Sequence, residues 1–186
     1  HGYVYLLENV EGKYVNRGKL EAGGKIIDTY GAPIPCVADF DGDGDLDIIC
    51  GEFVDGLTWF ENTGTRKAPV FAAGRQLVDK KGRDVRFHVE MIVPVTTDFD
   101  GDGHPDLVVG DEDGSVSYLH NSGKVKNHMP VFDDQVHFMQ KADVVKFGAL
   151  STPCSYDWNG DGREDIVTGN SAGEIAFIEN LSGGES

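Results

Sequence analysis

Apolar residues in this chain fall in short runs, separated by polar turns rich in Asp, Gly and Asn. Helical periodicity is absent throughout, so the pattern predicts strands from end to end. One kind of run is nearly continuous: Ile48-Ile49-Cys50, Leu107-Val108-Val109 and Ile166-Val167. Such a run fits a strand buried on both faces. A second kind has a large residue three places before an asparagine, at Leu6, Trp59, Tyr118 and Phe177. The residues just ahead of these are Tyr5, Thr58, Ser117 and Ala176. Large side chains on one side and mostly small ones on the other suit sheets stacked face to face. A third kind begins with Pro35, Pro94 or Pro153, which predicts an edge strand because proline cannot donate to a ladder. An outer, more variable fourth strand is expected to begin near Val70 and Val131.

These runs recur as a repeat. DFDGDGDLDIICG from Asp39, DFDGDGHPDLVVG from Asp98 and DWNGDGREDIVTG from Asp157 align without gaps, with starts 59 residues apart. A proline precedes each start by four residues, and each copy is followed by a strand ending at Asn62, Asn121 or Asn180. The N-terminus carries this last strand alone, as GYVYLLEN ending at Asn9. The expected organisation is the C-terminal half of a blade at 1–30, full blades at 31–89 and 90–148, and a partial blade at 149–186. The fold class is therefore all-β: an arc of a β-propeller built from four-stranded antiparallel blades with DxDxDG loops. A ring of seven such units would need roughly 410 residues. The chain begins at His1 and reads as a piece of something longer, completed by further blades of the same protein or by another chain.

Charge adds a second layer. The formal net charge is -16, which opposes binding to nucleic acid phosphates. No stretch approaches the roughly 20 apolar residues of a membrane helix, so membrane insertion is not expected. The segments 39–47, 98–106 and 157–165 hold 5, 4 and 4 of the 32 acidic residues. Carboxylates packed so closely repel one another unless a cation sits among them.

The spacing inside these segments suits Ca²⁺. In the first, Asp39, Asp41, Asp43 and Asp47 stand at positions one, three, five and nine, and the Asp45 carbonyl can turn inward at seven. The second offers Asp98, Asp100, Asp102 and Asp106 with the His104 carbonyl. The third offers Asp157, Asn159, Asp161 and Asp165 with the Arg163 carbonyl. Ca²⁺ takes six to eight hard oxygen ligands, and such a set with one or two waters supplies them. Gly42 and Gly44 allow the tight turn. Asn159 keeps an oxygen but loses a charge, so the third site should be the weakest of up to three. An EF-hand is excluded: position twelve is Cys50, Val109 or Thr168 instead of Glu, and the flanks are strands. Abundant carboxylates disfavour Mg²⁺, and the lack of N and S donors disfavours Zn²⁺.

With these motifs in view, the chain resembles the FG-GAP/VCBS repeats of integrin α-subunit propellers and of many secreted bacterial propellers. The VCBS-like form is the nearer, because the residues that give FG-GAP its name are sparse. The resemblance implies structural calcium in the turn between the first two strands. It also implies a ligand-binding face at the other end of the blades. On that face lie GEFVDG, GDEDG and GNSAG, which supply Glu52, Asp55, Asp111, Glu112, Asp113 and Asn170. Such turns can equally be simply solvated.

Two further groups carry chemistry of their own. Arg86, His88 and Glu90 alternate and would share one face of an extended strand. They could bind an acidic sugar or offer His88 as a base beside Arg86, or they could be a polar outer strand. Cys36, Val95 and Cys154 share one repeat column, which reads as a small core position, and a Cys36–Cys50 bridge stays open. The functional expectation is a calcium-stabilised module of an extracellular, cell-surface or periplasmic protein that binds glycan or protein. A propeller-type lyase or glycosidase, and a purely structural scaffold, are the alternatives.

Overall fold

A computed structural model describes residues 1–140 and 143–181. Among these residues there are strands and no helix. Residues 1–30 hold β1 (Gly2–Tyr3), β2 (Tyr5–Val10), β3 (Lys13–Lys19), β4 (Glu21–Ala22), β5 (Lys25–Ile26) and β6 (Asp28–Thr29). The first loop-bearing unit holds β7 (Ile34–Ala38), β8 (Asp47–Gly51), β9 (Leu57–Phe60) and β10 (Arg75–Gln76). The second opens with β11 (Val93–Thr97), β12 (Asp106–Gly110) and β13 (Val116–Leu119). It continues with β14 (Asn121–Val125), β15 (Pro130–Phe132), β16 (Val136–His137), β17 (Met139–Gln140) and β18 (Asp143–Val144). The third holds β19 (Thr152–Tyr156), β20 (Asp165–Gly169) and β21 (Ile175–Ile178).

The units share one antiparallel layout. Their sheets run β10-β9-β8-β7, β11-β12-β13-β16 and β19-β20-β21. The proline strand lies at the edge in each, with Pro35 opposite Cys50, Pro94 opposite Val109 and Pro153 opposite Thr168. In residues 1–30, β2 and β3 form a hairpin and β1 pairs with β6.

The fourth strand is not where the apolar pattern suggested. Val70 and Val131 lie in a segment that folds back on the chain just after the third strand. There β14 pairs with β15, and Asn62 bridges to Phe71. The strand that completes each sheet comes later and is short: β10 against Trp59 and Thr58, and β16 against Tyr118 and Ser117.

The core follows from the alternation of side chains along each strand. Ile49 points into one cluster with Leu57, Trp59, Leu107, Val109 and Leu119, between the first and second sheets. Its neighbours Ile48 and Cys50 point the other way, into a cluster with Val4 and Ile27 from the N-terminal segment. Val108, flanked by residues of the first cluster, packs with Val116 and Ile166 toward the third sheet. The apolar runs are thus strands buried on both faces between stacked sheets. The same alternation separates Cys36 from Cys50. They lie in different clusters on opposite faces, and both are free thiols, so the bridge left open by the sequence does not form.

In the first two units the glycine that ends the second strand has a packing reason. A Cβ on Gly51 would lie 2.0 Å from the Ile92 carbonyl oxygen, and one on Gly110 would lie 2.2 Å from that of Ser151. These are the points where the first strand of the next unit approaches.

Candidate metal centres and the opposite face

Each Asp-rich segment links the first strand of a sheet to the second, so the fold sets all three at equivalent ends. The loops close by the same hydrogen bonds. Asp39 accepts from the Gly42 and Gly44 amides at 2.8 and 3.0 Å. Asp157 accepts from Gly160 and Gly162 at 2.8 and 3.0 Å, and Asp98 from Gly103 at 3.1 Å. The next alternate side chains each accept from the amide two residues on, as Asp43 does from Asp45 and Asp102 does from His104. Gly42 and Gly44 have φ of 78° and 98°, and their counterparts in the other loops are likewise left-handed.

The ninth-position carboxylate is anchored from outside the loop. Asp47, Asp106 and Asp165 accept from the backbone amides of Asn62, Asn121 and Asn180 at 2.8, 2.7 and 2.9 Å. Two of the asparagine side chains brace the same corner: Asn121 donates to the Phe40 carbonyl of the preceding unit at 2.9 Å, and Asn180 to the Glu164 carbonyl at 3.1 Å. The sequence marked these asparagines as a repeat feature but assigned them no role. Their link to the loops arises only when the third strand pairs beside the second.

Three groups of ligand atoms lie within 4.8 Å of one another among the described residues: Asp39, Asp41, Asp43; Asp98, Asp100, Asp106; and Asp100, Asp102, His120. All lie at the first two loops, with His120 reaching in from beyond β13. In the first loop, Asp45 Oδ1 and Asp47 Oδ2 are buried without a hydrogen-bond partner. A buried carboxylate oxygen without a donor is costly, and a cation would satisfy it. Burial, then the neighbouring carboxylates, pushes Asp47 up to about 7 against the opposing Asn62 amide, and raises Asp45 as well. Asp106 is also raised by burial, opposed by the Asn121 amide and the Tyr118 hydroxyl.

The second loop differs by a residue the sequence reading missed. His120 Nε2 lies 3.3 Å from Asp100 and 3.5 Å from Asp102, while Nδ1 lies 3.0 Å from Asp133. The residue just before the asparagine lies by the loop in all three loop-bearing units: Glu61 acts on Asp41 in the first, and Glu179 accepts from Asn159 in the third. A comparison of the WFEN, YLHN and FIEN segments could have pointed to it. In the third loop, Arg163 pairs with Asp161 at 2.5 Å, and Asn159 donates to Glu179 at 3.1 Å. An internal cation therefore already offsets one carboxylate there.

At the other ends of the strands the predicted ligand residues separate. Glu52 accepts from the Thr58 hydroxyl, and Asp55 holds Arg86 at 2.8 Å. Glu112 is exposed, and Asn170 braces its own turn through the Ala172 and Glu174 amides. Asp111 and Asp113 do come together with His88, around a cavity between the two units. Arg86 is shared between Asp55 and Asp84, and residues 88–90 are bends. The extended strand expected to align Arg86, His88 and Glu90 is absent, because the chain turns there to enter the next unit.

A model of the FG-GAP repeat matches residues 93–124, from β11 through the second Asp loop and into β14. No curated protein matches the chain in sequence.

Proposed function

From a chain that carries an FG-GAP repeat, we propose a calcium-stapled segment of a β-propeller that serves as an extracellular, cell-surface or periplasmic binding module for glycan or protein. One observation carries the calcium part. The first loop gathers three carboxylates within 4.8 Å and leaves two more carboxylate oxygens buried without a donor. Asp39, Asp41, Asp43 and Asp47 with the Asp45 carbonyl would hold one ion, and Asp98, Asp100, Asp102 and Asp106 with the His104 carbonyl a second. Asp157, Asn159, Asp161 and Asp165 with the Arg163 carbonyl would hold a third, weakened by Asn159 and by the Arg163–Asp161 pair. When bound, the ion supplies charge neutralisation and ligation across the turn, and no chemical step is assigned to it.

The stacked sheets support the propeller part. Each of the first two is covered by the next, and the third presents the equivalent face to solvent: Trp158 is 66 % and Ile175 78 % exposed, against 2 % for Phe40 and 0 % for Leu57. A further unit of the same kind would cover that face. Location follows from affinity. Loops without a bidentate Glu bind Ca²⁺ modestly and would fill where calcium is abundant. A polysaccharide-cleaving role gains no support, because Arg86 is held by two carboxylates.

Chelation tests the reading. A cation bound only to the folded chain stabilises it by RT ln(1 + [L]/Kd), about 2.7 kcal/mol per site at a hundredfold excess over Kd. The Tm should rise by several degrees from chelator to millimolar Ca²⁺. Identical melts in the two conditions would remove the calcium sites.

A further inference from the structure

We infer that the cavity between the first and second units, at the ends of the strands away from the Asp loops, binds a single neutral sugar ring through a vicinal pair of hydroxyls. The inference deepens the binding-module reading and rests on it for its biological setting.

The cavity measures about 220 Å³. That is below the roughly 300–1,000 Å³ of pockets for drug-sized ligands, so it suits one ring. Its walls come from four pieces of chain: the linker at Phe87–Val89, the turn from Asp111 to Ser115, the edge strand β16, and the segment at Val144–Lys146. The turn and the last segment are fixed to each other, since Ser115 bridges to Lys146 and the Phe147 amide donates to Gly114 at 2.9 Å.

The hydrogen-bonding capacity of the cavity is largely set in advance. Gln135 Nε2 donates to the Ser117 hydroxyl oxygen at 2.8 Å, and that hydroxyl lies 3.0 Å from His137 Nδ1. Ser117 is buried, so its hydroxyl proton needs an acceptor within this chain, and His137 Nδ1 is the one in reach. This assigns the remaining proton of the neutral ring to Nε2, which becomes a donor. The same relay leaves Gln135 Oε1 as an acceptor. Asp111 is also buried, at 4 % exposure, and its carboxylate accepts from the Ser115 amide at 3.0 Å and from the Asp113 amide. A fixed donor on one wall and a buried carboxylate on another match two adjacent hydroxyls, one accepting and one donating.

Charged ligands fit less well. An anion would face Asp111, while the one amine on the wall, Lys146, is already paired with Asp113. An ammonium group would suit Asp111 but could not accept from the outward N–H of His137. A neutral polyol avoids both conflicts.

The experiment uses the whole chain, ¹⁵N-labelled, in millimolar Ca²⁺. It is titrated with the methyl glycosides of glucose, galactose and mannose, with glucuronate and glucosamine as charged controls. At least one neutral glycoside should shift the amides of Asp111–Ser115 and Gln135–His137 saturably, with a Kd on the order of 1 mM for so small a ligand. His137→Ala and Gln135→Ala should each weaken it by about tenfold, the loss of roughly one hydrogen bond, while the rise in Tm from chelator to Ca²⁺ stays at the wild-type value. No saturable shift from any neutral glycoside by about 50 mM would overturn the inference. So would a tighter charged control, or unchanged binding in both variants. The calcium reading is judged separately by the melts, so either idea can fail while the other stands.

Discussion

At the residue scale, the charge of the Asp loops makes the sharpest prediction. Asp47 uses one oxygen to anchor the Asn62 amide and leaves the other buried without a donor. Without metal that carboxylate is a burden, since burial disfavours its charged form. In the proposed calcium site it would instead be a ligand. Asp47→Asn keeps an oxygen for the amide and removes the charge. It should melt no lower than the parent chain in chelator, and its calcium-induced rise in Tm should be smaller by about 2–4 °C for each kcal/mol of binding lost. Calorimetry with and without Ca²⁺ decides this; a full wild-type rise in the variant would exclude Asp47 as a ligand. The carboxylates themselves were legible from spacing alone, because alternate residues of one tight loop converge. His120 and the anchoring asparagines were not, since they reach the loop from the third strand, 15 residues beyond the ninth-position Asp in the case of Asn121.

At the element scale, the second strands show how one sequence feature acquires different worth in different units. Gly51, Gly110 and Gly169 look equivalent in the sequence. A methyl on Gly110 would strike the Ser151 carbonyl, whereas Gly169 has nothing nearer than 3.5 Å. Gly110→Ala should therefore cost about 3 kcal/mol or more by forcing the third unit's first strand away, and Gly169→Ala should stay within about 1 kcal/mol. Urea unfolding of the two variants measures the difference, and equal costs would refute the packing argument. The strand types were readable from their runs, but the fourth strand was misplaced. Val70 and Val131 carry a strong strand signal, yet they pair locally with the chain just past the third strand. The strands that complete the sheets, Arg75–Gln76 and Val136–His137, are two residues long and mostly polar, too short for any periodicity to register.

At the scale of the whole molecule, stability comes from sheets covering sheets, and among the described residues none covers one face of the last sheet. Trp158, Ile175 and Phe177 occupy the columns that Phe40, Leu57 and Trp59 fill in the first unit, where they are buried. Large contiguous apolar faces of this kind drive association. The isolated chain should self-associate at concentrations of about 100 µM, and a Trp158→Ser, Ile175→Lys double variant should remain monomeric under the same conditions. Sedimentation velocity separates the outcomes; a monomeric parent chain would show that the exposed face is not adhesive.

The sequence by itself determined the all-β class, the 59-residue repeat, the edge position of the prolines and the carboxylate spacing of the loops. All of these rest on short-range rules: alternation along a strand, the missing N–H of proline, the convergence of side chains within one turn. Only the tertiary structure decided which apolar columns are covered, that Cys36 and Cys50 lie on opposite faces, where the fourth strands pair and how His137 is oriented toward the cavity beside Asp111. Those depend on contacts between residues far apart in the chain, made when one sheet settles on the next, and identical columns in a repeat cannot signal which copy will have a neighbour.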